Sequence, residues 1–125
     1  MSKTLYKIKR ISNLGIYRSL VLLSNELFPK IILLNRDIKR TFGDEIIKNI
    51  YKSLNDLKYA YQSTEESDKI LHLKSLQNNV EMVEVSLKFL NETHFINDKN
   101  YTNISHLLAD ILLQINGWLS QYNKL

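Results

Sequence analysis

The chain has 125 residues, 44% of them hydrophobic and 24% charged, with three glycines, one proline and no cysteine. That length suits one globular domain over 1–125, able to bury roughly two thirds of the surface it exposes when unfolded; the missing thiols exclude disulfide and thiolate chemistry and fit a reducing compartment, the cytoplasm. The formal charge of +4 is divided unevenly, since residues 1–60 hold 12 Lys and Arg against 5 Asp and Glu, a balance of +7, whereas residues 61–125 hold 5 against 8, a balance of −3.

The start, MSKTLYKIKRISN, is basic but has no apolar signal core or small-residue cleavage site. Residues 1–12 are expected to form a basic arm. No apolar run approaches the roughly 18 to 20 residues of a membrane span, so no membrane partner is expected. So few glycines and prolines leave too few turns for a many-stranded fold, and the apolar spacing is helical throughout. Helix one carries Ile16, Leu20, Leu23, Leu27, Ile31, Leu34 and Ile38. Pro29 lacks an amide hydrogen and presses on the Asn25 carbonyl, but the periodicity resumes at Ile31, which predicts a bent helix that continues. Arg40-Thr41-Phe42-Gly43-Asp44-Glu45 reads as the stop and restart, with Gly43 left-handed after the helix and two carboxylates at the next N-terminus. Helix two follows on Ile47, Ile50, Leu54, Leu57 and Tyr61, and the capping residues of 63–68 make the second turn. Helix three carries Leu73, Leu76, Val80, Val83, Leu87 and Leu90. After a connection at 94–99, where Asn97 or Asp98 caps the next helix, helix four carries Tyr101, Ile104, Leu108, Ile111, Ile115, Trp118 and Tyr122. Four long helices with short connections predict an all-α, antiparallel up-down-up-down four-helix bundle.

The basic half of the chain supplies the candidate binding residues. On helix two, 100° per residue puts Lys48, Lys52, Asn55 and Tyr59 in one stripe opposite the apolar seam. Arg36, Lys39 and Arg40 lie three and four apart at the end of helix one, and Lys3, Lys7 and Arg10 repeat that spacing beside Tyr6. Lysines and arginines that neutralise phosphates, with tyrosines to stack on bases, are what a sequence-tolerant surface for RNA or DNA requires. A solvated helix face with favourable cations at a helix C-terminus would carry the same residues.

Catalytic and metal-binding patterns do not form. His72, His94 and His106 are scattered; His106 and Asp110 are an i, i+4 pair suited to a hydrogen bond on a helix face. Glu81 and Glu84 share a face, but neither has the histidine three residues on that a four-helix di-metal site uses. Phosphate loops and nucleophile elbows are absent. No catalytic residue, metal or cofactor is expected, and the protein is not expected to be an enzyme.

Leu27-Phe28-Pro29-Lys30, the stretch from Arg40 to Ile46, and the segment from Ile111 that closes on Gly117-Trp118-Leu119 carry a resemblance. Over roughly residues 16–122 the chain resembles the bacterial four-helix bundle family that includes proteins encoded in intervening sequences of large ribosomal RNA genes and the accessory variability protein of diversity-generating retroelements, with the Gly-Trp ending more similar to the latter. The resemblance implies a pentameric barrel with a basic surface. It also implies a non-catalytic subunit that binds a reverse transcriptase and template RNA during mutagenic retrohoming. Where family members often carry a glycine and a basic residue five or six positions before the tryptophan, this chain has Leu112 and Leu113; the group Lys3, Lys7, Lys9 and Arg10 would replace the lost cation. A structural or protein-interaction bundle of the intervening-sequence type, without a nucleic-acid ligand, is the alternative. Gly117 and Trp118 are candidates for an oligomer interface: a glycine in a helix costs about 1 kcal/mol relative to alanine, and bare backbone lets a neighbouring helix approach closely. Relief of crowding within one subunit would explain the same glycine.

Overall fold

The computed structural model describes residues 10–122, and every regular element among them is helical. A 3₁₀ turn at Ile11–Asn13 leads into α1, Gly15–Ile32. Helix α2 runs without interruption through three segments, Arg36–Ile38, Lys39–Gly43 and Asp44–Gln62; α3 is Glu66–Glu92 and α4 is Asp98–Ser120.

Pro29 lies inside α1, as its flanking periodicity predicts, but the helix runs only three residues beyond it. The first turn therefore falls at residues 33–35 and not at Arg40–Glu45. Its cause is local: the Asn35 side chain accepts a hydrogen bond from the Ile38 amide at 3.0 Å, which starts α2 with an N-cap. Leu34, inside the turn, is still buried and Ile38 half-buried. The apolar spacing thus passes through the break without a gap, which hides it. Gly43 is helical, with φ −61°, and not left-handed. It ends a π-helical turn in which the Asp44 amide donates to the Lys39 carbonyl five residues back. A Cβ on Gly43 would stand 2.9 Å from Ile31 Cγ2, so glycine is what lets this turn lie against α1.

The other connections are short. Residues 63–65 join α2 to α3, and the Lys69 ammonium donates to the carbonyls of Ala60 and Tyr61 at 3.0 and 3.3 Å, closing the end of α2. Between α3 and α4, His94 takes φ 70°, the left-handed position after a helix, and Asn97 caps α4 by accepting from the Asn100 amide at 2.8 Å.

Helix α2 packs along α3, α3 along α4 and α4 along α1, while α1 touches α2 lightly, in part through the π turn. The seams of α3 and α4 fall where the spacing puts them: Leu73, Leu76, Val80, Val83, Leu87 and Leu90 are buried, as are Ile104, Leu108, Ile111 and Ile115. The seam of α2 does not. Ile46, Ile50, Leu57 and Ala60 are buried, Ile47 is exposed, and Leu54 and Tyr61 are half-buried. This rotation toward α3 carries Asn49, Ser53 and Asp56 inside. No described helix is long and apolar enough to cross a membrane.

Candidate nucleic-acid interface

Moving the first turn to residues 33–35 transfers Arg36, Lys39 and Arg40 from the end of α1 to the beginning of α2. Two cationic groups that spacing assigns to different helices therefore share one. Arg36, Arg40, Lys48 and Lys52 are exposed, whereas Lys39 is half-buried, with its Cγ 3.4 Å from where a Cβ on Gly43 would stand. Asp37, Asp44 and Glu45 interleave with the cations in the first part of α2, where carboxylates favour a helix N-terminus. From Ile47 to Gln62 the one carboxylate is Asp56, and it is 7% exposed. The outward face of that stretch is left to Lys48, Tyr51, Lys52, Asn55, Lys58 and Tyr59. Among the described residues, Arg36, Arg40, Lys48, Lys52 and Lys58 make no salt bridge.

The aromatic side chains on this face differ in freedom. Tyr59 is 44% exposed, but its ring stacks on His72 with centroids 5.2 Å apart, and Lys58 Nζ lies 5.5 Å from the ring centre. One face is already used. Tyr51 is 72% exposed and is the freer stacking surface. Tyr51 and Lys58 are absent from the sequence-derived set, although Tyr51 follows Lys48 by three residues and precedes Asn55 by four, the spacing of a common helix face.

Under this face lies a polar junction that the sequence pattern did not single out. The Asp56 carboxylate accepts hydrogen bonds from Asn79 Nδ2 at 2.9 Å and Ser75 Oγ at 2.7 Å, and His72 Nδ1 stands 3.3 Å from its other oxygen. A carboxylate taken from water is tolerated only with such partners. These bonds fix α2 against α3 in one register, and through His72 they set the base on which Tyr59 stacks. The recoverable signal was polar residues at 49, 53 and 56 beside the apolar seam, a 4-3 spacing that belongs to an interior stripe.

Arg10 is exposed and caps the 3₁₀ turn, which packs on both α1 and α2. Lys3, Lys7, Lys9 and most of the proposed arm of residues 1–12 lie outside the described residues. His106 does not pair with Asp110; the Asp110 carboxylate instead accepts from Gln114 Nε2 at 2.9 Å and Ser19 Oγ at 3.3 Å, tying α4 to α1. Gly117 is exposed, and a Cβ there would meet nothing within 4 Å. Crowding among the described residues therefore does not require it. Trp118 is half-buried against the core and its Nε1 donates to Tyr122 Oη at 3.3 Å. No family model, curated protein or solved structure matches the chain.

Proposed function

We propose that this protein is a non-catalytic, nucleic-acid-binding subunit that holds single-stranded RNA or DNA on the outward face of α2. The observation that carries the reading is that face between Ile47 and Gln62, where three lysines and two tyrosines are exposed and the one carboxylate is turned inward. Such lysines neutralise phosphates and release their condensed counterions to solution, and an exposed tyrosine gives bases a platform. The connections of three, three and five residues between long helices support an antiparallel up-down-up-down bundle, which keeps this face rigid.

In the setting that the family resemblance implies, the subunit is the accessory protein of a diversity-generating retroelement and binds its reverse transcriptase together with template RNA or complementary DNA. Exposed Leu113, 71% accessible, lies one turn from both Ala109 and Gly117 on α4 and supports a homo-oligomer, a pentamer by resemblance. Repeated copies of the α2 face would then add weak contacts into avidity. A protein-interaction bundle of the intervening-sequence type is favoured by one other observation, the exposed apolar residues Met82, Val85 and Phe89 along α3. Fluorescence anisotropy with a single-stranded RNA, the matching DNA and a duplex separates the two: binding to the single strands that weakens steeply with salt supports the first reading, and no binding to any of them leaves the second. Co-elution with a reverse transcriptase encoded beside the gene tests the retroelement setting.

A further inference from the structure

Beside the π turn, a groove of about 520 Å³ opens between α2 and α3, lined among others by Arg40, Phe42, Glu45, Asn49, Met82 and Ser86. Two of these are unusual. Asn49 is 7% exposed and Ser86 8%, yet neither side chain makes a hydrogen bond among the described residues. Buried polar groups ordinarily have partners. No buried, unpartnered side-chain nitrogen or oxygen is sealed from solvent among the described residues, so the free amide and hydroxyl reach it through the groove that they line. The groove thus presents an amide and a hydroxyl, from side chains that are otherwise more than nine-tenths buried, to whatever enters it.

The walls and the rim define what would satisfy it. Phe42 lines the groove and stacks on Phe89, with ring centroids 5.0 Å apart and planes 15° from parallel; Met82, a polarizable thioether, lines it from α3. An aromatic ring and a thioether offer apolar, polarizable contact to a flat ring. Glu45 offers only acceptors and Asn49 a donor next to an acceptor, the pairing that exocyclic amino groups and ring nitrogens of bases take. Glu45 also repels a phosphate from the groove itself. Arg40, at the rim, does not, and Lys52 lies on the stripe of α2 that carries Glu45 and Asn49, roughly 18 Å along the helix from Arg40 at 1.5 Å per residue.

We propose that this groove is a pocket for one unpaired nucleobase of a single strand, stacked against Phe42 and Met82 and read at its edge by Glu45, Asn49 and Ser86, with phosphates of neighbouring nucleotides, two or three apart along the strand, on Arg40 and Lys52. The proposal rests on the nucleic-acid reading above and extends it from the strand's phosphates to a base. Because the Asn49 amide and Ser86 hydroxyl make no hydrogen bond among the described residues, removing them leaves folding intact or improves it, which separates a binding role from a structural one.

The test is anisotropy at one low salt concentration with a ten-nucleotide single strand and with the same sugar-phosphate strand lacking all its bases. Wild type binds the base-bearing strand roughly tenfold more tightly, the size of a stacking contact. Asn49→Leu and Ser86→Ala each lower affinity for the base-bearing strand toward that of the abasic one, leave abasic binding unchanged, and melt no lower than wild type. Equal wild-type affinity for the two strands overturns the pocket and leaves the phosphate surface standing, as does base-dependent binding that both variants retain. A groove that takes an apolar side chain of a partner protein would give that same result. Binding of neither strand by wild type overturns the pocket and the nucleic-acid reading together.

Discussion

Gly43 and Asp56 mark the two places where single residues decide how α2 sits. The hydrogen that Gly43 carries in place of a side chain faces Ile31 Cγ2, which belongs to the core and has nowhere to retreat. Gly43→Ala should therefore lower stability by about 1–2 kcal/mol, overpacking outweighing the gain in helix propensity. Urea unfolding measures it, and an unchanged or raised midpoint would mean that α1 does not approach the π turn so closely. Asp56 works by hydrogen bonding. Asp56→Ala leaves Asn79 buried with no acceptor and removes the bonds from Ser75 and His72, for a predicted loss of about 2–4 kcal/mol. Chemical denaturation at neutral pH checks this, and a loss under about 1 kcal/mol would show that the junction contributes little. Neither residue announced its role in the sequence. Gly43 stood among polar residues that look like a turn, and Asp56 looked like one more solvated charge.

At the scale of elements, legibility followed how many signals agreed. The seams of α3 and α4 were readable because apolar periodicity, capping at Asn97 and the flanking polar stretches all pointed to the same helices. In α1 and α2 they conflicted. Apart from one extra residue around Pro29, periodicity ran from Ile16 to Ile38, while Asn35, with Asp37 in the following turn, already formed an N-terminal signature. A buried residue in the turn, Leu34, kept the rhythm and masked the break. The rotation of the α2 seam was hidden for a related reason: Ile47 and Leu54 are apolar at the right spacing, but the stripe that faces α3 is partly polar, and hydrophobicity alone cannot find it. The candidate site suffered less. Lys48 and Lys52 are exposed as their spacing predicts, and the displaced turn adds Arg36 and Arg40 to the same helix. Tyr59 proved half-engaged with His72, a contact between helices that no local pattern encodes.

For the whole molecule, the sequence divides into a +7 half, residues 1–60, and a −3 half, residues 61–125, and α2 lies in the first but for its last two residues. The homo-oligomer proposed here gives Gly117 its use, since no described residue of its own subunit needs the missing side chain. Gly117→Leu should convert the assembly to monomers in multi-angle light scattering while circular dichroism stays as helical as wild type, because leucine is the better helix former. A wild type that is already monomeric, or a variant that remains assembled, would remove Gly117 from the interface. The binding claim is tested most directly by the salt dependence of single-strand affinity in two charge-matched variants. Lys48→Glu with Lys52→Glu changes the α2 face, and Lys88→Glu with Lys99→Glu makes the same change in charge on α3 and α4. The first pair should weaken binding and flatten the slope of log affinity against log salt by roughly 0.7 per lost phosphate contact, with the second pair close to wild type in slope. Equal slopes for both variants and wild type would contradict an interface on α2.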